Sequence, residues 1–255
     1  MQIVGEQERA VLAKVPAVTL GFWAIKILAT TLGETGGDSV SMSMGLGYLD
    51  ATLLFALVFL AFVAAQVRSR AFHPWLYWFT IIATTTVGTT LADFADRSLG
   101  IGYPGGAGLL LALVLLSLLV WQRVMGSVAV ESVNNPTAEI FYWVTIMFSQ
   151  TLGTALGDWA ADSMGLGYVG AAIVFGGLLL AVGAGYFWTS ISRTALFWAA
   201  FILTRPLGAA LGDWLDKPVA AGGLAFSRYQ ASAILLICII LGILALPQHA
   251  ARRMH

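Results

Sequence analysis

An aromatic-Trp pair recurs four times in this chain, as Phe22-Trp23, Tyr77-Trp78, Tyr142-Trp143 and Phe197-Trp198. Ten residues after each Trp stands a glycine (Gly33, Gly88, Gly153, Gly208), and five residues later an aspartate (Asp38, Asp93, Asp158, Asp213). The residue before each aspartate is small: Gly37, Ala92, Gly157 and Gly212. No gap is needed to align the copies. A chain written this way is a tandem array of one supersecondary unit.

That unit belongs in a membrane. Apolar residues make up 59% of the 255 residues and charged ones 10%, against about 45–50% and about 25% in soluble globular domains. The stretches Leu53 to Ala65, Leu109 to Val120, Ala171 to Val182 and Ile234 to Leu246 are nearly free of charge and lie in segments of spanning length. They are the second halves of the repeats. The first halves hold the Trp-to-Asp ladder, which as a helix rises roughly 22 Å, most of a ~30 Å hydrocarbon core. Each repeat therefore reads as a two-helix hairpin and the chain as eight transmembrane helices, all-α because an open sheet cannot cross lipid. The expected organisation is a single membrane domain over residues 1–255, with repeats at 16–66, 74–121, 137–188 and 194–246.

The segment holding Glu6, Glu8, Arg9 and Lys14 lacks the basic start, short apolar core and cleavage site of a signal peptide, and is expected to be retained. The inter-repeat segments and termini carry Arg9, Lys14, Arg68, Arg70, Arg123, Arg193, Arg252 and Arg253, whereas the turns within repeats carry Arg97, Lys217 and Arg228. By the positive-inside rule both termini face the cytoplasm. Every repeat then enters and leaves on the same side, so the repeats are parallel, related by an axis along the membrane normal. The Trp spacings of 55, 65 and 55 residues suggest two double-hairpin halves joined by Gln122 to Pro136, with pseudo-twofold and approximate fourfold internal symmetry.

The ladder glycines form small-xxx-small ridges that let helix backbones approach closely, which places these four helices at the centre and the plain apolar ones outside. Beside each ridge runs a stripe at i, i+4 spacing. The stripes read Lys26, Thr30, Glu34, Asp38; Ile81, Thr85, Thr89, Asp93; Ile146, Gln150, Thr154, Asp158; and Phe201, Arg205, Ala209, Asp213, widened by Thr31, Thr86 and Thr151. Facing inward, they would line a path or a pocket. An Asp at the bilayer centre costs about 2.5–3.5 kcal/mol, so four facing lipid would cost roughly 10–14 kcal/mol, less near the interface. They must be paired, solvated or protonated inside the bundle. Five stripe acids meet two bases, Lys26 and Arg205, and that acidic excess is the field a cation seeks.

A structural reading stands beside this one. The ladder aspartates would fix the turns or cap the next segment, and Lys26 and Arg205 would tie the bundle to Glu34 or to a ladder Asp. Asp96, Asp162 and Asp216 fit a solvated outer rim, with Arg97 and Lys217 in surface ion pairs. The turns repeat as Gly45-Leu46-Gly47-Tyr48, Gly100-Ile101-Gly102-Tyr103 and Gly165-Leu166-Gly167-Tyr168, and the fourth repeat departs from that pattern. Glycines re-entering a helix and an interfacial Tyr explain them better than a carbonyl filter does, because the Thr-Val-Gly order is missing.

His73, His249 and His255 lie away from the stripe, and Cys238 stands alone in the last span, so imidazole or thiolate metal sites and disulfides are not expected. Carboxylate, hydroxyl and amide oxygens suit manganese, magnesium, sodium or protons. The Trp residues read as interfacial anchors more than as a cage for an organic cation. A formal charge of zero gives no pull toward nucleic acid.

The motif of aromatic-Trp followed by Gly-x-x-x-Gly-Asp is clearest at Tyr142-Trp143 with Gly153 to Asp158, and at Phe197-Trp198 with Gly208 to Asp213. From Phe22 to Leu246 the chain resembles a family of bacterial inner-membrane proteins built from four tandem two-helix repeats of unknown function. The resemblance implies topology and no activity. The residues themselves point to a membrane transport protein for a small hard cation. Its substrate groups would be Glu34, Asp38, Asp93, Asp158, Asp213, Thr30, Thr85 and Gln150, with a metal ion at the four aspartates and Lys26 and Arg205 tuning the charge. The rival is a non-transporting sensor or partner-binding scaffold with a structural polar stripe. No nucleophile and base pair supports an enzyme, no cofactor is expected, and the expected partners are the bilayer and the cation.

Overall fold

The computed structural model describes residues 13–251. Glu6, Glu8, Arg9, Arg252, Arg253 and His255 lie outside the described residues. Eight long helices follow in order: α1 (Leu20–Asp38), α2 (Tyr48–Arg68), α3 (Pro74–Asp93), α4 (Tyr103–Met125), α5 (Pro136–Asp158), α6 (Gly167–Trp188), α7 (Arg193–Asp216) and α8 (Arg228–Ala245). Their starts are set locally. Thr19 accepts from the Phe22 amide at 3.1 Å and Asn135 from the Ala138 amide at 3.0 Å, while Pro74 and Pro136 open α3 and α5, where a missing N–H costs nothing.

The four ladder helices form a closed inner ring, α1 on α3, α3 on α5, α5 on α7 and α7 back on α1. Glycine makes the ring this tight. A Cβ added at Gly33 would strike Thr85, one at Gly88 would strike Gln150, one at Gly153 Arg205, and one at Gly208 Thr30. Each ridge therefore receives the stripe residue seven positions after the next repeat's Trp, and the last repeat closes onto the first. Hydroxyls fasten the seams: Thr85 donates to the Ala29 carbonyl at 3.2 Å, Thr89 to Gly33 at 3.0 Å, and Thr30 to Thr204 at 3.1 Å. The ridges sit at the centre as the sequence implies.

The hairpin expectation is corrected. Each outer helix packs not on the inner helix of its own repeat but on that of the next: α2 on α3, α4 on α5, α6 on α7, and α8 on α1. Link length decides this. Residues 69–73 join α2 to α3 and residues 189–192 join α6 to α7, short links that force antiparallel neighbours, whereas the within-repeat turns 39–47 and 94–102 reach sideways. The repeat seen in the sequence is thus offset from the unit that packs.

Five helices, α2, α4, α6, α7 and α8, are long and apolar enough to cross a membrane. Leu57, Leu180 and Ile237 on the outer helices point away from the ring, exposed by 68%, 76% and 55%, and Cys238 is exposed beside them. An all-helical fold presenting such surfaces is that of a multi-pass membrane protein. At one end the described termini clasp each other: the Ala17 amide donates to His249 and the Ala251 amide to Val15, while the Lys14 amide donates to Val133. The first and last described residues therefore lie at the same end of the ring.

Above this clasp the motif aromatics fill the ring. Trp78, Trp143 and Trp198 are buried with Tyr77, Tyr142, Phe22 and Trp121, and the Tyr77 and Tyr142 hydroxyls lie 2.6 Å apart. The reading of these tryptophans as interfacial anchors is overturned. Their indoles do find polar handles, Trp78 on Gln248 and Trp198 on the Val128 carbonyl, but from inside. An amphipathic ring fits an interface and a ring of packed aromatics equally well, and only the neighbours separate the two.

Candidate functional site

Because the inner helices run side by side, their stripes meet in layers. All sixteen stripe positions are buried. Next to the aromatics comes Lys26, fully enclosed, its Nζ 4.2 Å from the centre of the Phe201 ring. No hydrogen-bond acceptor reaches that nitrogen among the described residues, so the expected tie between Lys26 and Glu34 or a ladder Asp is not made.

One turn further on, the Arg205 guanidinium crosses the axis. Its Nη2 donates to Glu34 Oε2 at 2.9 Å, to Thr89 Oγ1 and to Thr154 Oγ1, and its Nη1 to the Thr30 carbonyl at 3.4 Å. One side chain from α7 thus touches α1, α3 and α5. Thr30 and Thr85, expected as substrate ligands, commit their hydroxyl protons to backbone carbonyls. The Gln150 amide has no hydrogen-bond partner among the described residues.

The aspartates stand at the far end, each buried, Asp38 and Asp93 exposed by only 1%. In the first three repeats the ladder Asp is the last α-helical residue. A π-helical turn follows, Ser39–Ser43, Phe94–Ser98 and Trp159–Ser163, closed by amides donating five residues back, as Met44 to Ser39 at 2.9 Å. Such single π turns are rare and cluster at functional sites. The aspartate side chains cap none of these turns, which removes the capping explanation. Positive φ at Gly45 and Gly47, 73° and 79°, then turns the chain into α2. In the fourth repeat α7 instead runs on to Asp216.

Here the structure adds residues that the stripe did not include. Lys217 Nζ lies 2.8 Å from Asp38 Oδ2 and 2.9 Å from Asp213 Oδ1. Arg97 Nε lies 2.9 Å from Asp93 Oδ1 and its Nη2 3.4 Å from Asp158 Oδ2. Arg228 reaches Asp216 at 2.8 Å and Asp38 at 3.6 Å. Two bases from the turns therefore each bridge the ladder acids of two neighbouring repeats. Arg97 does keep an exposed face, as a surface pair would, but Lys217 is largely enclosed, and Asp216, whose side chain is 1% exposed, is not on a solvated rim. Asp162 is exposed, as expected. Burial opposes the charge on Lys217, but Asp213, Asp38 and Asp216 outweigh it and hold the ammonium well above the usual lysine range. The sequence did carry the signal: Asp93 with Arg97 and Asp213 with Lys217 are i, i+4 pairs.

Two further expectations change with these bases. The acidic excess shrinks, because Glu34, the four ladder aspartates and Asp216 now face Lys26, Arg205, Arg97, Lys217 and Arg228. A metal set of four aspartates is not assembled either. The group whose oxygens lie within 4.8 Å of one another is Glu34, Asp38 and Asp213, with Asp93 and Asp158 held by Arg97. Oxygen ligands of that kind fit a hard cation, and Lys217 occupies the position of one. Among the ladder aspartates three oxygens, Asp38 Oδ1, Asp93 Oδ2 and Asp158 Oδ1, are buried with neither a hydrogen bond nor an ion pair among the described residues, a state shared by Asp96 Oδ1 and Glu139 Oε2.

No curated protein and no solved structure matches the sequence. The family model described as Repeat of Unknown Function (DUF347) matches residues 21–72, 76–127, 141–192 and 196–253, one copy for each inner helix and the outer helix that follows it. Four consecutive matches over most of the chain, each carrying its own aromatic pair and ladder aspartate or its variant turn, make this protein a member of that repeat family.

Proposed function

We propose that the protein is a carrier for a small hard cation, a proton, sodium or a divalent metal, in the bacterial inner membrane. It crosses eight times, its four parallel repeats related by an axis along the membrane normal, and both termini lie in the cytoplasm. The observation that carries the reading is the set of three buried, unpartnered ladder-aspartate oxygens, on Asp38, Asp93 and Asp158, at the end of the ring that holds the Glu34, Asp38 and Asp213 group. Three unpaired acceptors at one end of the ring are costly for a purely structural lock, since each unpaired buried acceptor costs about 1–3 kcal/mol. Here Lys217 stands where a cation would stand, and a built-in counter-ion that swings away on a turn leaves a ready oxygen site behind it. The axis is filled at Arg205, so passage needs movement, which favours carrier over channel kinetics. Orientation draws support from Arg97, Lys217 and Arg228 being spent on buried acids, whereas Arg68, Arg70 and Arg123 on the inter-repeat side make no ion pair among the described residues.

The scaffold reading is favoured by one observation, the seam hydroxyls that fasten helix to helix. Flux in proteoliposomes separates the two. Sodium, magnesium, manganese and proton fluxes are measured for the native chain and for Asp38→Asn with Asp213→Asn. A flux lost in the folded double variant supports the carrier. Absence of any flux, with the variant merely less stable, leaves the scaffold.

A further inference from the structure

We propose that the groove between α4 and α7, at the clasped end of the bundle, is a binding site for one anionic phospholipid, with an acyl chain along the groove and the phosphate beside Arg123. The inference needs only a chain that lies in a bilayer, so it stands apart from the carrier reading.

The groove arises at the join between the two halves of the chain. Residues 126–135 link α4 to α5, a longer connection than 69–73 or 189–192. Gly126, at φ 76°, turns the chain out of α4, and the Val128 carbonyl accepts from the Trp198 indole on α7 at 2.9 Å. The link thus reaches over to α7 before it returns to α5. At the matching seam of the first half α2 packs on α5, whereas α4 makes no comparable packing with α7. Between them, under the link, lies a groove of about 560 Å³.

Its walls change character along its length. Away from the clasp they are hydrocarbon, Leu115 and Leu118 from α4 and Ala199 and Ile202 from α7. Towards the clasp, where α4 ends and α7 begins, they become Gln122, Ser127, Ser192 and Thr194. Leu115 is 57% exposed on the outside of the bundle, so the groove opens sideways into lipid and its apolar part takes an acyl chain in preference to water. Phe187 and Trp188, exposed by 79% and 84%, end α6 just before the link that carries Ser192. Exposed aromatics of that kind sit at headgroup level, and the polar end of the groove lies with them.

The sign of the headgroup follows from the charges. Arg123 stands next to Gln122, and Arg193 between Ser192 and Thr194, both exposed. Arg123 makes no ion pair among the described residues, and Arg193 lies over the Tyr186 ring at 4.1 Å and donates to the Tyr186 carbonyl. No acid occurs from Tyr103 to Val130 or from Phe187 to Gly212, and Glu131, the next residue of the link, does not line the groove. Two bases without an acid at headgroup depth favour a phosphate of net negative charge over a zwitterion. A second copy of the chain docked here about a twofold axis would set its own Arg123 and Arg193 against these, so charge disfavours that occupant.

Native mass spectrometry of the full-length protein, released from mild detergent and titrated with phosphatidylglycerol or with phosphatidylethanolamine of the same acyl chains, reads the site directly. The expected result is one phosphatidylglycerol retained per chain, held more tightly than phosphatidylethanolamine. Arg123→Gln should weaken phosphatidylglycerol about fivefold and leave phosphatidylethanolamine unchanged. Ala195 lines the groove and is exposed, so a larger side chain there fills the groove and not the core. Ala195→Phe should abolish retention of both lipids, whereas Ala61→Phe on the exposed face of α2 should not. An unchanged unfolding temperature shows that each variant is folded. Equal retention of the two lipids by the native chain, or retention that Ala195→Phe leaves intact, overturns the proposal. So does a dimer that Ala195→Phe splits with no lipid retained, which would give the groove to a second copy. None of these readouts involves cation flux, so failure of the carrier reading is seen separately.

Discussion

At the residue scale, Arg205 and Lys217 do opposite kinds of work with the same charge. Arg205 pairs with a buried carboxylate and joins α7 to the three other inner helices. Arg205→Met strands Glu34, and breaking a buried pair from one side costs about 3–5 kcal/mol. Adding Glu34→Gln to that variant should recover most of the loss, read from unfolding in mild detergent; two losses that simply add would mean that the pair is not coupled. Lys217 is a turn residue whose ammonium is held up by three carboxylates. Because its proton affinity is raised on folding, its contribution is complete below the unfolded lysine value of about 10.4 and disappears only as pH rises through the higher folded value. Lys217→Met should therefore lower the unfolding temperature equally at pH 7 and pH 9. A gap that closes by pH 9 would contradict this assignment. In the sequence Arg205 reads as a base inside a span, whereas Lys217 reads as half of a surface pair although its i, i+4 spacing from Asp213 is there. Their carboxylate targets on the first repeat are not legible, because Arg205 with Glu34 and Lys217 with Asp38 join positions more than one hundred residues apart.

At the scale of elements, the glycine ridges carry the close approach that everything else depends on. Gly88 faces the Gln150 backbone at 2.9 Å from where a Cβ would sit, while Gly36 on the neighbouring helix meets a Thr86 methyl at 3.6 Å and a Leu32 methyl at 3.9 Å, both ordinary contacts. Gly88→Ala should cost about 1–3 kcal/mol as overpacking, and Gly36→Ala should be near neutral, the pair compared by thermal unfolding; equal effects would remove the ridge from the explanation. The ladder made these glycines legible, since four copies at one offset mark one contact made four times. The π turns after the ladder aspartates were not legible. Sequence placed a Gly-containing turn there, but a single i+5 turn differs from an α turn by one residue of slack, which no residue type signals on its own.

For the whole molecule, the clasp between residues 13–17 and 249–251 puts both described termini on one face. Reporter fusions at either end should show the same sidedness, cytoplasmic by the charge count, and opposite sides would break the eight-span reading. The sequence by itself determined the repeat, its helical and apolar character, the inner or outer place of each helix and the presence of buried acids, because these depend on periodicity, composition and the cost of charge in lipid. Only the tertiary structure decided which helices pair and which base meets which acid. The offset of the packing unit from the sequence repeat, the aromatic filling of the clasped end, and the isolation of Lys26 from every carboxylate all follow from how the ring closes. A repeat states what each unit offers to a neighbour, but closure of four units through seams of glycine and threonine chooses the neighbour, and with it the charges left paired or alone.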